Sequence, residues 1–196
     1  MPRRLLTKNE KIFLTDIFGL TLPYNSQLVD TNDSNWGGST NSITPFDMPY
    51  MTKSVWSPDY SNSSVSNRDR GIFVHEMMHV WQYFHGVNKA VEMISITYKF
   101  LYYERAYDYT LRHSWNIRDY NMEAQASIVQ DSYLISVGEL PTKNVGPAPQ
   151  LSDYFFKMFQ VKSAGPPTVP ADMMGMASLG VRQLNSIPRR IAAKLW

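Results

Sequence analysis

Residues 75–79 read His75-Glu76-Met77-Met78-His79, an H-E-x-x-H placed inside the proline-free run 70–86 (RGIFVHEMMHVWQYFHG). On an α-helix, positions i and i+4 share a face one turn apart, so both imidazoles can reach a single ion. The intervening glutamate sits beside that ion without ligating it, where it can take a proton from a water. Gly86 supplies a C-terminal stop, and Asn67 and Asp69 offer capping oxygens upstream. Apolar residues surround the motif on nearly every side: Ile72, Phe73, Val74, Met77, Met78, Val80, Trp81 and Phe84. A helix apolar all round is a buried helix crossing the core. Two histidines and a carboxylate buried within one turn are costly unless something requires them, and a metal is the simplest such requirement.

A catalytic zinc takes three protein ligands and keeps a fourth position open. Sequence spacing leaves the third ligand among Glu92, Glu104, Asp108, Asp119, Glu123 and His113, with His85 rotated off the ligand face. The segment 119–137 (DYNMEAQASIVQDSYLISV) predicts a second helix with the stripe Met122, Ala126, Val129 and Tyr133, capped near Asp119 or Asn121. Glu123 lies in its first turn, where a carboxylate also suits the helix dipole. Asp131, two turns on, is placed to accept from the second nitrogen of a ligand histidine. A peptidase also needs a donor for the oxyanion, and Tyr107, His113, Tyr120 and Tyr133 are the candidates.

The runs HEMMHVWQ and YNMEAQASIVQDSY resemble the metallopeptidase domains attached to bacterial type VI secretion spike (VgrG) and Rhs proteins. Those domains carry H-E-M/L-x-H-V-W-Q followed by Y-N-x-E-x-Q-A, and the similarity extends in outline over residues 5–137. The resemblance implies a zincin with His75, His79 and Glu123 as zinc ligands and Glu76 as the catalytic glutamate. It also implies an antibacterial toxin hydrolysing peptide bonds, carried on a secretion spike and acting in the periplasm of a target bacterium. An immunity protein would be its partner. Two other readings remain: a non-catalytic zinc-binding cargo or adaptor module of a spike, and a peptidoglycan amide hydrolase.

Bulk properties agree with one enzyme domain over residues 1–196. The hydrophobic content of 43% is ample for a core, and cysteine is absent. A net charge of +2 without basic clusters gives no footprint for nucleic acid. No apolar stretch is long enough to span a bilayer. The opening MPRRLLTKNEK lacks the apolar region of a signal peptide, so export without one is expected.

The expected architecture is α+β: a predominantly helical zincin-like metallopeptidase fold with a small sheet beside the H-E-x-x-H helix. Residues 4–18 predict the first helix, mainly over 7–18. Short extended runs at 26–30, 41–45 and 49–55 predict the sheet, with a turn at Asn35-Trp36-Gly37-Gly38. Residues 44–56 are the candidate edge strand for pairing with an extended substrate, and Pro45, Pro49 and Pro58 suit an edge. The tyrosine-dense run 91–116 reads as a further helix. Residues 138–196 form a C-terminal extension, with a short apolar helix at 153–161 and a basic, methionine-rich tail from Asp172.

Overall fold

The computed structural model describes residues 3–31, 41–87, 92, 106–112 and 116–143. The predicted turn at 35–38, His113, most of the tyrosine-dense run and the extension beyond 143 lie outside them. Among the described residues the protein is α+β, with three helices and a small three-stranded sheet.

Strand β1 (Arg4–Leu5) and helix α1 (Lys8–Phe18) open the chain. Residues 4 and 5 read as helix by spacing, but they are a strand, antiparallel to β2 (Leu28–Thr31) with Arg4 opposite Val29. The helix cannot begin earlier because Thr7 caps it. Thr7 Oγ1 accepts from Glu10 N at 3.0 Å, while Thr7 N donates back to Glu10 Oε2 at 2.8 Å. Buried Glu10 also accepts from both terminal nitrogens of Arg4 at 2.7 Å and from Tyr60 N at 2.8 Å. One carboxylate thereby ties β1, α1 and the loop at residue 60 together.

Strand β3 (Tyr50–Met51) lies parallel to β2, with Asp30 opposite Tyr50. Its other side is met by Ile43, whose N–H and carbonyl exchange hydrogen bonds with Tyr50 at 3.0 and 2.8 Å. The predicted substrate-pairing run 44–56 thus contains only a two-residue strand, and that strand is already paired on both sides.

Helix α2 (Asn67–Phe84) carries the motif and starts three residues earlier than the spacing predicts. Its cap is Ser66, whose hydroxyl accepts from Asp69 N at 3.1 Å, in place of Asn67 or Asp69. Every residue from Phe73 to Gln82 is buried, as an all-round apolar helix requires. It packs chiefly against helix α3 (Met122–Ser136), capped by Asn121 through Glu123 N and Ala124 N. The pairing is antiparallel: Gly71 meets Leu134 and Gln130 at one end, while Gln82 reaches Met122 at the other. Gly71 allows the close approach, since a Cβ there would come within 3.3 Å of Leu134 Cδ2. The core is completed by Leu14, Ile17 and Phe18 of α1 and by Tyr60 stacked on Phe73 at 4.1 Å.

Candidate metal centre

One turn of α2 presents His75 and His79 towards the first turn of α3, where Glu123 sits. His75 Nε2 lies 3.4 Å and His79 Nε2 3.2 Å from the same atom, Glu123 Oε2. All three residues are buried, and their ligand atoms lie within 4.8 Å of one another. The rings stand edge to face, 82° apart with centroids 5.0 Å apart. Among the described residues this is the only His/Asp/Glu cluster suited to a metal ion. Among the described residues, the helix pairing brings Glu123, of the sequence candidates, to the two histidines. Asp108 and Asp119 are exposed, and Asp119 Oδ2 accepts from Asn116 N at 2.6 Å. His85 stacks on Trp81 at 4.0 Å. Glu104 and His113 lie outside the described residues.

Burial pushes the Glu123 carboxyl group up. The charge of His79 and hydrogen bonds from His75 and His79 outweigh this and hold it well below the usual carboxylate range. An ionised oxygen facing two ring nitrogens away from water needs positive charge at the focus, from protons or from a cation. Two imidazoles and one carboxylate make a donor set that suits zinc. His75 Nδ1 adds an open requirement, being buried without a hydrogen-bond partner among the described residues. The residues fit a metal ion.

Glu76 occupies the next position on α2 and is also buried. Its Oε2 accepts from the Thr44 hydroxyl at 2.7 Å. Thr44 follows Ile43, so the segment that covers β3 also holds the glutamate. No spacing rule links residues 44 and 76, and Thr44 carries no signal in sequence.

The second nitrogen of His79 meets Gln82 Oε1 at 2.7 Å. The contact to the second nitrogen of a motif histidine, predicted for Asp131, is made instead by Gln82, one turn along the same helix. Asp131 is fully buried elsewhere, accepting from Tyr109 Oη at 2.8 Å, from Thr142 N and Oγ1 at 2.6 and 2.8 Å, and from Lys143 N at 3.1 Å. It ties the chain after α3 back onto that helix. A glutamine three residues after the second motif histidine, in an otherwise apolar run, was the available sign of Gln82.

The tyrosine candidates separate by position. Tyr107 lies against His75, ring centroids 5.8 Å apart, with Lys143 Nζ 5.6 Å from its ring. Tyr120 Oη accepts from Arg112 N at 2.9 Å and donates to Thr110 O at 3.3 Å. Tyr133 packs edge-on against Phe13 of α1 at 5.4 Å. Of these three, Tyr107 is the one beside a motif histidine.

No family model matches the chain. Over 134 residues it is 32% identical to the type VI secretion system spike protein VgrG2b of Pseudomonas aeruginosa, covering 67% of this chain. The chain spans 13% of that much longer protein. Its structure is also similar to the solved effector domain of Pseudomonas aeruginosa VgrG2b, with a TM-score of 0.58 and 28% identity. That likeness covers 69% of this chain and 75% of the effector domain. Together these similarities link the chain to type VI secretion effectors. Among the described residues no helix is long and apolar enough to cross a membrane.

Proposed function

We propose that this chain is a zinc-dependent metallopeptidase that serves as a type VI secretion effector. The observation that carries the reading is the convergence of His75 Nε2, His79 Nε2 and Glu123 Oε2 in a buried site, with Glu76 next to His75 on the same helix. A bound zinc ion would supply Lewis-acid activation of a water molecule and of the substrate carbonyl.

The chain's own residues supply the remainder. Thr44 engages Glu76 Oε2 and so orients the carboxylate, leaving Oε1 to accept a proton from the attacking water. The same carboxyl group then returns that proton to the leaving nitrogen. Tyr107, beside His75, is the donor we assign to the negative charge that develops on the substrate oxygen. The likeness to a spike-protein effector domain supports delivery by a spike carrier of the VgrG type. Action in the periplasm of a target bacterium, with an immunity protein as antagonist, completes the proposal.

Peptide hydrolysis and zinc content measured together on wild type and Glu76→Gln test it. The variant should hold as much zinc as wild type, yet turn over about 10²–10⁴-fold more slowly. Full activity in Glu76→Gln would overturn the mechanism.

A further inference from the structure

Behind His79 runs a ladder of two buried glutamines whose polarity can be read from its fixed ends. Gln82 Nε2 lies 2.8 Å from the carbonyl oxygen of Met122. Gln125 Nε2 lies 2.7 Å from the carbonyl oxygen of Tyr120. Backbone carbonyls only accept, so both contacts fix which end of each amide is nitrogen. The two glutamines then fit head to tail, Gln82 Nε2 donating to Gln125 Oε1 at 3.0 Å. Only Gln82 Oε1 is left to face His79 Nδ1, at 2.7 Å. Because an amide oxygen cannot donate, that ring nitrogen must carry the proton.

We propose that Gln82, oriented by Gln125, is a positioning residue that keeps a proton on His79 Nδ1 and so turns Nε2, which lies 3.2 Å from Glu123 Oε2, towards the metal focus. The inference rests on the metallopeptidase reading and deepens it. The ladder has a second consequence, because it starts on α2 and ends on α3 and on the turn before it. The contact that sets the His79 ring is also the contact that docks Glu123 alongside. Ligand orientation and helix pairing are one arrangement. His75 has no such device among the described residues, its Nδ1 being buried without a partner there. The latch therefore acts on one of the two histidines.

Two measurements test this, and neither depends on turnover. The first is long-range ¹H–¹⁵N correlation NMR on metal-free protein labelled in its four histidines. His79 Nδ1 should carry a proton in wild type, whereas Gln82→Met should show an exchanging mixture. The second is zinc affinity by chelator competition. Gln82→Met and Gln125→Met should each bind zinc about 10–100-fold more weakly than wild type, and Gln82→Glu, which keeps the acceptor, should recover part of the loss. A bare Nδ1 on His79 in wild type would overturn the latch, and so would unchanged zinc affinity in folded Gln82→Met. If that variant does not fold, the wild-type spectrum and Gln125→Met still decide. A wild type that binds no zinc would instead remove the metallopeptidase reading, while the proton on Nδ1 would still report whether the latch exists.

Discussion

The N-terminal brace around Glu10 and the helix-pair site around Glu123 each bury a carboxylate, yet only the first is complete in itself. Glu10 accepts from Arg4, from Thr7 N and from Tyr60 N, so both oxygens are met by donors that belong to the fold. Glu123 Oε2 faces two ring nitrogens, His75 Nε2 at 3.4 Å and His79 Nε2 at 3.2 Å. Asp131 repeats the closed pattern, with Tyr109, Thr142 and Lys143 around it. A buried carboxylate with its donors in place acts as a tie. One facing two imidazole nitrogens could hold a cation. Partner chemistry, and not burial, distinguishes a structural acid from a site.

Breaking the closed cluster should produce the largest loss of stability. Glu10→Ala strands Arg4, removes the side-chain half of the capping box of α1 and releases Tyr60 N, and should cost about 3–5 kcal/mol in denaturant unfolding. A loss below about 1 kcal/mol would mean that the brace is ornamental.

The open site should respond to metal instead. Zinc at about a hundredfold over its dissociation constant should stabilise wild type by about 2.7 kcal/mol. Glu123→Ala and His79→Ala should show much less of that gain and hold little zinc by mass spectrometry. An equal thermal shift in Glu123→Ala would remove Glu123 from the ligand set.

Asp131→Asn lies between these cases. It keeps the shape of the tie but weakens the bonds to Thr142 and Lys143, and should cost about 1–3 kcal/mol with zinc binding retained. Loss of zinc in this variant would return Asp131 to the metal centre.

The smallest effect on stability is expected at Thr44. Thr44→Val should cost about 1 kcal/mol and leave zinc content unchanged, while lowering peptide turnover. Thr44→Ser should restore turnover, which simple loss of packing would not allow.

The parts of the site that lie close together in sequence were legible there. The H-E-x-x-H spacing, the apolar surroundings and the absence of proline define α2, and the resemblance pointed to Glu123. Short-range rules gave the wrong cap for α2 and read Arg4–Leu5 as helix, because a two-residue strand has no periodicity to detect. They also sent Asp131 to a histidine. Helix periodicity places a residue on a face, but it does not say which neighbouring chain will satisfy it.

By itself, then, the sequence determined the motif helix, the second helix and a metal-suited set of side chains, since each depends on spacings within a few turns. Spacing left Glu123 among several acids, the resemblance singled it out, and the tertiary structure brings it, and not Asp108 or Asp119, to the two histidines. Tertiary structure alone decided that Thr44 grips Glu76, and that Gln82 and Gln125 stand behind His79. Thr44 reaches Glu76 across 32 residues, and Gln82 reaches Gln125 across 43. Contacts at such separations arise when apolar burial brings α2 and α3 together and each buried polar group must find a partner on the facing element.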